Sequence, residues 1–397
     1  MISLLISTMV FLYYYKKYYK HTGIYPLLIY FISLCLFILF SIESSFGQLA
    51  YFESDEQKYI DIALGRIWEA PSGLDRYLWI LLNRLILNYD IYIDGIPLKL
   101  INIPFAALLI MVLWRIFKDK RIFLIPVILP YLAILSIKNL RDIPIFLLSA
   151  LSVYLFHHPK PIKIILSIIC LLMLILLRSF AAIIVAVILL SQILFLHLKK
   201  HKKIKISKIL RQKTIILIIF FLMGLPLLGQ WISKINTDLY KYFNYVTGGE
   251  GYELILQKRV NNDSRYVSGN KFRDLTVAHI RYAVTPIPSS VWVRLINGGS
   301  KYWGLLDDII LFANQTMLYI LFGYLIINIR KIWPAFRQTS SSGRAIIYSF
   351  LSYWPIYSIS LYGITHLRLK MPFQIVIFLI AMRISEFKKN NHVNLIK

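Results

Sequence analysis

The feature that most constrains this chain is the repeated return of apolar runs, each about 17 to 22 residues long, between charged clusters. A helix needs about 20 apolar residues to cross the roughly 30 Å hydrocarbon layer, so the spacing specifies a multispanning membrane protein. Composition agrees where it bears on the point: 58% of the 397 residues are hydrophobic, 16% are charged, and the mean hydropathy is +0.64. Soluble domains carry about 25% charged residues. The balance excludes a soluble enzyme, a disordered chain and a secreted disulfide scaffold. The two cysteines, Cys35 and Cys170, both lie inside apolar runs and read as packing residues.

About eleven crossings are read, at 2–15, 23–42, 98–117, 121–137, 143–157, 161–177, 179–198, 214–233, 309–329, 345–363 and 371–385. The first lacks a basic start and a small-residue cleavage site, so it reads as an anchor rather than a signal peptide. With the N-terminus outside and the C-terminus cytoplasmic, 25 of the 45 Lys and Arg fall inside, including the basic loop 199–213. Of the 19 acids only Asp119 and Glu386 fall there, which leaves +23 inside and +3 outside. This asymmetry is the positive-inside rule, and it accounts for nearly all of the +26 net charge. Nucleic acid is not needed as a partner; anionic lipid headgroups suffice for the basic run.

Residues 74–90 test that topology. If they crossed, the Arg115–Arg121 cluster would lie outside. Leu74, Tyr77, Leu78, Leu81, Leu82 and Leu85 follow helical spacing, with Asp75, Arg76, Asn83 and Arg84 elsewhere on the wheel, so an interfacial helix fits better. Residues 59–68 read as a shorter version. The expected architecture is a single all-α integral membrane domain over 1–397, with two long outer-face loops, 43–97 and 234–308, carrying interfacial helices. No internal repeat, P-loop, GxGxxG, HExxH or Cys/His metal spacing is present.

Chemistry is expected on the outer face. Asp55 and Glu56 stand together just past a membrane helix, where an acid can take a proton from a sugar hydroxyl or hold a divalent metal. A solvated loop acid or a helix N-cap reads the same residues equally well. Three outer turns carry cations against the positive-inside bias: Lys138 and Arg141 in SIKNLRDIP, Arg178 at the centre of the apolar run 161–198, and Arg368 and Lys370 in THLRLKMP. The run 161–198 is too long for one crossing and demands a hairpin near Arg178. Arginine suits phosphate because its fork donates paired hydrogen bonds and stays charged. Snorkelling to a headgroup, or pairing with an acid such as Asp142, is the structural alternative for each.

The second outer loop interleaves Arg259, Arg265, Arg273 and Arg281 with Tyr252, Tyr266, Phe272, Tyr282 and Trp292, side chains suited to sugar hydroxyls and sugar faces respectively. Residues 271–283 read as a helix that Thr285-Pro286-Ile287-Pro288 ends. His279 on that helix is a candidate base or a structural donor. The glycine pairs 248–249 and 298–299 fit hinges of a lid or ordinary turns.

Taken together, the acidic first loop, its interfacial helices, the KNLRD turn, LLRSF and THLRLKMP resemble the Wzy-like or EpsG-like repeat-unit polymerases. These belong to the GT-C type of bacterial membrane glycosyltransferases. The resemblance implies a GT-C-like fold in the bacterial inner membrane and a polyprenyl-diphosphate-linked glycan as donor. Arg141, Arg178 and Arg368 would grip the diphosphate, and Asp55 or Glu56 would act as base or metal partner. The products implied are O-antigen, capsule or exopolysaccharide, with chain-length regulator and flippase proteins as partners. No cofactor is implied unless Asp55 and Glu56 form a metal site. The SDEQKY motif also resembles the transferases that use a polyprenyl-monophosphate sugar, and a lipid-linked glycan carrier or a non-catalytic scaffold are further alternatives.

Overall fold

The computed structural model describes residues 2–46, 54–66, 76–89, 96–158, 160–201, 271–297, 304–355 and 367–396. The expected crossing 214–233, nearly all of the basic loop 199–213, the glycine pairs, Arg259 and Arg265 lie outside these residues. Among the described residues every regular element is a helix. The α-helices are α1 Ile2–Thr22, α2 Leu28–Phe46, α3 Ser54–Ala63, α4 Tyr77–Tyr89, α5 Ile96–Leu100, α6 Asn102–Phe117, α7 Ile125–Ile128 and α8 Tyr131–Ser136. They continue with α9 Asp142–Phe156, α10 Pro161–His201, α11 Lys271–Val284, α12 Pro288–Ile296, α13 Gly304–Ile327, α14 Ile329–Gln338, α15 Ser341–Leu351 and α16 Leu367–Ile396.

Four stretches are long and apolar enough to cross a membrane: Tyr25–Ser45, Leu98–Phe117, Pro161–Arg178 and Gly304–Ile327. The chain is therefore an all-α membrane protein. Leu98–Phe117 is the central one, 72% buried, whereas Pro161–Arg178 is only 17% buried. On that outer helix Ile162, Ile165, Ile168 and Leu172 are each more than half exposed. A continuous aliphatic surface of this kind belongs against hydrocarbon rather than water.

Helix α9 and the first half of α10 form an antiparallel pair. Ser167 donates to the Ser152 carbonyl (2.8 Å), Lys163 lies over the Tyr154 ring, and Arg178 reaches Asp142 at the other end. Helix α6 and helix α16 run parallel, since Arg383 donates to the Phe117 carbonyl (2.8 Å) while Lys99 and Arg368 both lie at the opposite end. Buried amides tie the middle of the bundle: Tyr131 N–H donates to Asn314 Oδ1 (3.3 Å), and Asn314 donates to Gln374 (3.1 Å). Where α15 crosses α6 the chain requires glycine, because a Cβ on Gly343 would meet Thr339 at 2.6 Å and Phe117 at 3.2 Å.

The structure departs from the sequence reading in several places. The expected helix 121–137 is instead a 3-10 turn, Lys120–Leu124, followed by the short α7 and α8. Pro126 starts α7, and Pro130 denies the backbone an N–H where a continuous helix needs one. Ile122, Ile125, Leu129, Leu132 and Ala133 are all fully buried, whereas Leu124 and Val127 are exposed, so this irregular segment packs one side into the bundle and turns the other outward. At the other segment read as a turn, Arg368 and Lys370 lie in the opening of α16, with Pro372 inside the helix. A proline so near the start forfeits one backbone bond, that to the Arg368 carbonyl.

Helix α1 runs to Thr22, past the expected end at residue 15, and carries Lys16, Lys17 and Lys20. Helices α3 and α4, of 10 and 13 residues, are about 15 and 20 Å long, too short to span the hydrocarbon layer.

Candidate functional site

The charged residues of one bundle end are organised around the turn that precedes α9. Glu56, in the first turn of α3, is fully buried and receives both of its strong bonds from Lys99, at 2.9 and 2.7 Å to its two oxygens. The Asn139 backbone N–H donates to the same carboxylate. The Asn139 side chain donates to Asn83 of α4, and Asn83 donates to the Trp79 carbonyl (2.8 Å). From the other side Asn102 donates to the carbonyls of Lys138 (2.7 Å) and Leu140 (2.6 Å). Lys138 in turn pairs with Asp307 at the start of α13 (3.1 Å). The turn 137–141 is thus gripped by α3, α4, α6 and α13, which fixes the direction of Arg141 and Asp142.

Those two residues meet the break in α10. Arg178 has extended backbone torsions, φ −166° and ψ 98°, inside an otherwise helical stretch. The sequence reading placed a chain break here, and the cause is visible in the contacts. Arg141 Nη1 donates to the Leu177 carbonyl, a group the interrupted helix needs satisfied. The Arg178 guanidinium lies over the Phe180 ring (5.0 Å) and pairs with Asp142 (3.7 Å). Asp142 begins α9, where the helix N-terminus favours a negative charge.

Arg368 completes the line. It forms an ion pair with Asp55, the residue next to Glu56, and it also feels the charge of Asp142. Burial alone would weaken its hold on the proton, but Asp142 and then Asp55 outweigh this and keep the guanidinium firmly charged. The order along the bundle end is Arg178, Asp142, Arg368, Asp55. The inner pair is the more buried: the side chains of Arg178 and Asp142 are 12% and 6% exposed, those of Arg368 and Asp55 22% and 48%.

Two residues further along α16, and so on another side of the helix, the buried Lys370 donates to the Thr285 carbonyl (2.6 Å) and hydroxyl (2.9 Å) and lies over the Tyr282 ring (5.3 Å). Burial, with Arg281 nearby, lowers its ammonium to about 7. Arg281 therefore belongs to this neighbourhood. His279 is half-buried, with its ring edge-on to Trp354 (6.2 Å) and its carbonyl accepting the Trp354 N–H (3.1 Å). It stands about 9 Å before Thr285 along the helix, and the exposed Arg273 stands about 18 Å before it. Helix α11 ends at Val284, one residue beyond the expected end, and the Thr285–Pro288 break leads into α12 as expected.

Six of the sequence candidates are thus brought together at one end: Asp55, Glu56, Arg141, Arg178, Arg368 and Lys370. Asp55 and Glu56 turn to different cations, Arg368 and Lys99. Glu56 spends both oxygens on Lys99 and one on the Asn139 N–H, so it acts in the described residues as a structural clamp. Lys99, Asn83 and Asn139 are essential to this arrangement and escaped the sequence reading. Lys99 carried a usable signal, since a lysine at the edge of an apolar crossing requires a counter-charge. Among the described residues no group of three His, Cys, Asp or Glu side chains is placed to hold a metal. Compared with protein families, curated proteins and solved structures, the chain finds no match.

Proposed function

We propose that this chain is a GT-C-like membrane glycosyltransferase that polymerises polyprenyl-diphosphate-linked oligosaccharide repeat units on the outer face of the bacterial cytoplasmic membrane. The reading takes about eleven crossings, with the N-terminus outside and the C-terminus cytoplasmic. The observation that carries it is the line Arg178, Asp142, Arg368, Asp55, drawn from four distant parts of the sequence to one bundle end. Cations in short turns of a membrane protein are costly unless paired. Here Asp142 pairs with Arg178 and Asp55 with Arg368, the pairing named above as the structural alternative, and a donor diphosphate would join or replace these acids. The positive-inside asymmetry puts this end outside.

The chemistry needs little else. The acceptor hydroxyl attacks the anomeric carbon of the donor, its oxygen forms the new glycosidic bond, and the bond from that carbon to the phosphate oxygen breaks. The lipid diphosphate leaves with the electron pair, and its charge is stabilised by Arg178 and Arg368. Asp55, the most exposed acid of the line, takes the hydroxyl proton. A preorganised charge donor of this type contributes about 10²–10³ in rate. A second reading, a transferase adding one sugar from a polyprenyl-monophosphate donor, rests on the same exposure of Asp55 and differs in product.

The test is polymerisation by the purified protein in lipid nanodiscs, supplied with the lipid-linked repeat unit and read on a glycan gel. Arg178→Ala is expected to lower product formation at least 100-fold while the protein still inserts and purifies as a single species. Polymer formed at the wild-type rate by that variant would refute the role of Arg178.

A further inference from the structure

Arg368 is paired with one carboxylate, Asp55, and feels the charge of a second, Asp142; the two are unequal. Asp142 is buried, begins a helix and is paired with Arg178. Asp55 is half-exposed and sits on the first turn of the short α3. A carboxylate and a phosphate oxygen make the same forked bond to a guanidinium, and the phosphate brings more charge. Exposed ion pairs are weak and exchange readily, whereas a buried paired carboxylate is not displaced without stranding its partner.

We infer that Asp55 occupies, in the resting protein, the position on Arg368 that a phosphate of the lipid-linked donor takes, so that donor binding exchanges one anion for the other. This rests on the proposed diphosphate-dependent reaction. Asp142 remains paired with Arg178 and keeps its negative charge near Arg368. The displaced Asp55 cannot travel far, because the adjacent Glu56 is locked to Lys99 and Asn139. Its carboxylate is thereby released beside the bound donor, ready to accept the acceptor's proton. A base that is paired until the donor arrives imposes an order: donor first, then acceptor.

The experiment measures equilibrium binding of farnesyl diphosphate to the detergent-purified full chain. Asp55→Asn removes the competing anion, so affinity is expected to rise about fivefold, the factor an exposed ion pair is worth. Asp61→Asn, on the same helix but paired with Gln57 and Arg66, is the control for general charge removal and is expected to change nothing. Arg368→Ala is expected to weaken binding, and Asp55→Asn added to it is expected to have no further effect. If binding depends on Arg368 but Asp55→Asn fails to tighten it, or Asp61→Asn tightens it equally, the exchange is overturned while the diphosphate reading stands. If wild type and Arg368→Ala bind the probe equally or not at all, the diphosphate reading itself fails and the exchange with it.

Discussion

Lys99 and Glu56 show how much of this bundle end hangs on a single buried contact. Both side chains are 1% exposed or less, and the pair joins α3 to α5 across 43 residues of chain. Removing one partner strands a charge in a low-dielectric interior, which costs about 3–5 kcal/mol. Lys99→Met and Glu56→Gln are each expected to lower the thermal unfolding midpoint in detergent markedly, and the double variant to recover much of the loss. Additive losses in the double variant would show that the two side chains act separately. At this scale the sequence was partly legible. Lone cations beside apolar runs pointed to Arg141, Arg178 and Arg368, because an unpaired charge near lipid is conspicuous in any sequence. Asn83 and Asn139 were not legible, since an amide whose partner lies 56 residues away leaves no local trace. Glu56 looked equivalent to Asp55; one helical step turned it to the interior instead.

Among the elements, α4 is where periodicity was most informative. Of the apolar stripe Leu74, Tyr77, Leu78, Leu81, Leu82 and Leu85, Tyr77, Leu81 and Leu85 are exposed at 50%, 39% and 46%, whereas Leu78 and Leu82 pack partly against the core and Leu74 lies outside the described residues. Asn83, assigned to the polar face, is instead fully buried, together with Trp79 and Ile86. Helix α4 therefore has two packed faces, one against the protein and one outward and apolar. A nitroxide scan of 77–89 in liposomes is expected to show the greatest access to a lipid-soluble relaxation agent at 77, 81 and 85, and the least at 79, 83 and 86. Maxima at 79 and 83 would mean that the helix is rotated. The segment 121–137 shows the opposite situation. Its apolar length implied one crossing, but Pro126 and Pro130 prevail locally, because proline supplies no N–H to continue the helix.

Across the whole molecule the contacts sort charge by end. Asp55, Glu56, Lys99, Lys138, Arg178, Asp307, Arg368 and Lys370 lie at one, while Arg383 meets Phe117 near Asp119 and Arg121 at the other. Counting charges along the sequence predicts an outer and an inner end, and among the described residues the ion pairs do fall at two ends. What counting leaves out is convergence. That Arg178 pairs with Asp142, and Arg368 with Asp55, depends on which helices are neighbours, and hydropathy carries no such information. The most direct test of the account is the surface-glycan ladder of a strain deleted for this gene, beside one carrying Arg368→Ala. The account predicts lipid cores bearing a single repeat unit and no ladder in both. A full ladder in the deletion strain would contradict it, and a ladder in which every repeat is one sugar shorter would make the protein a monosaccharide transferase.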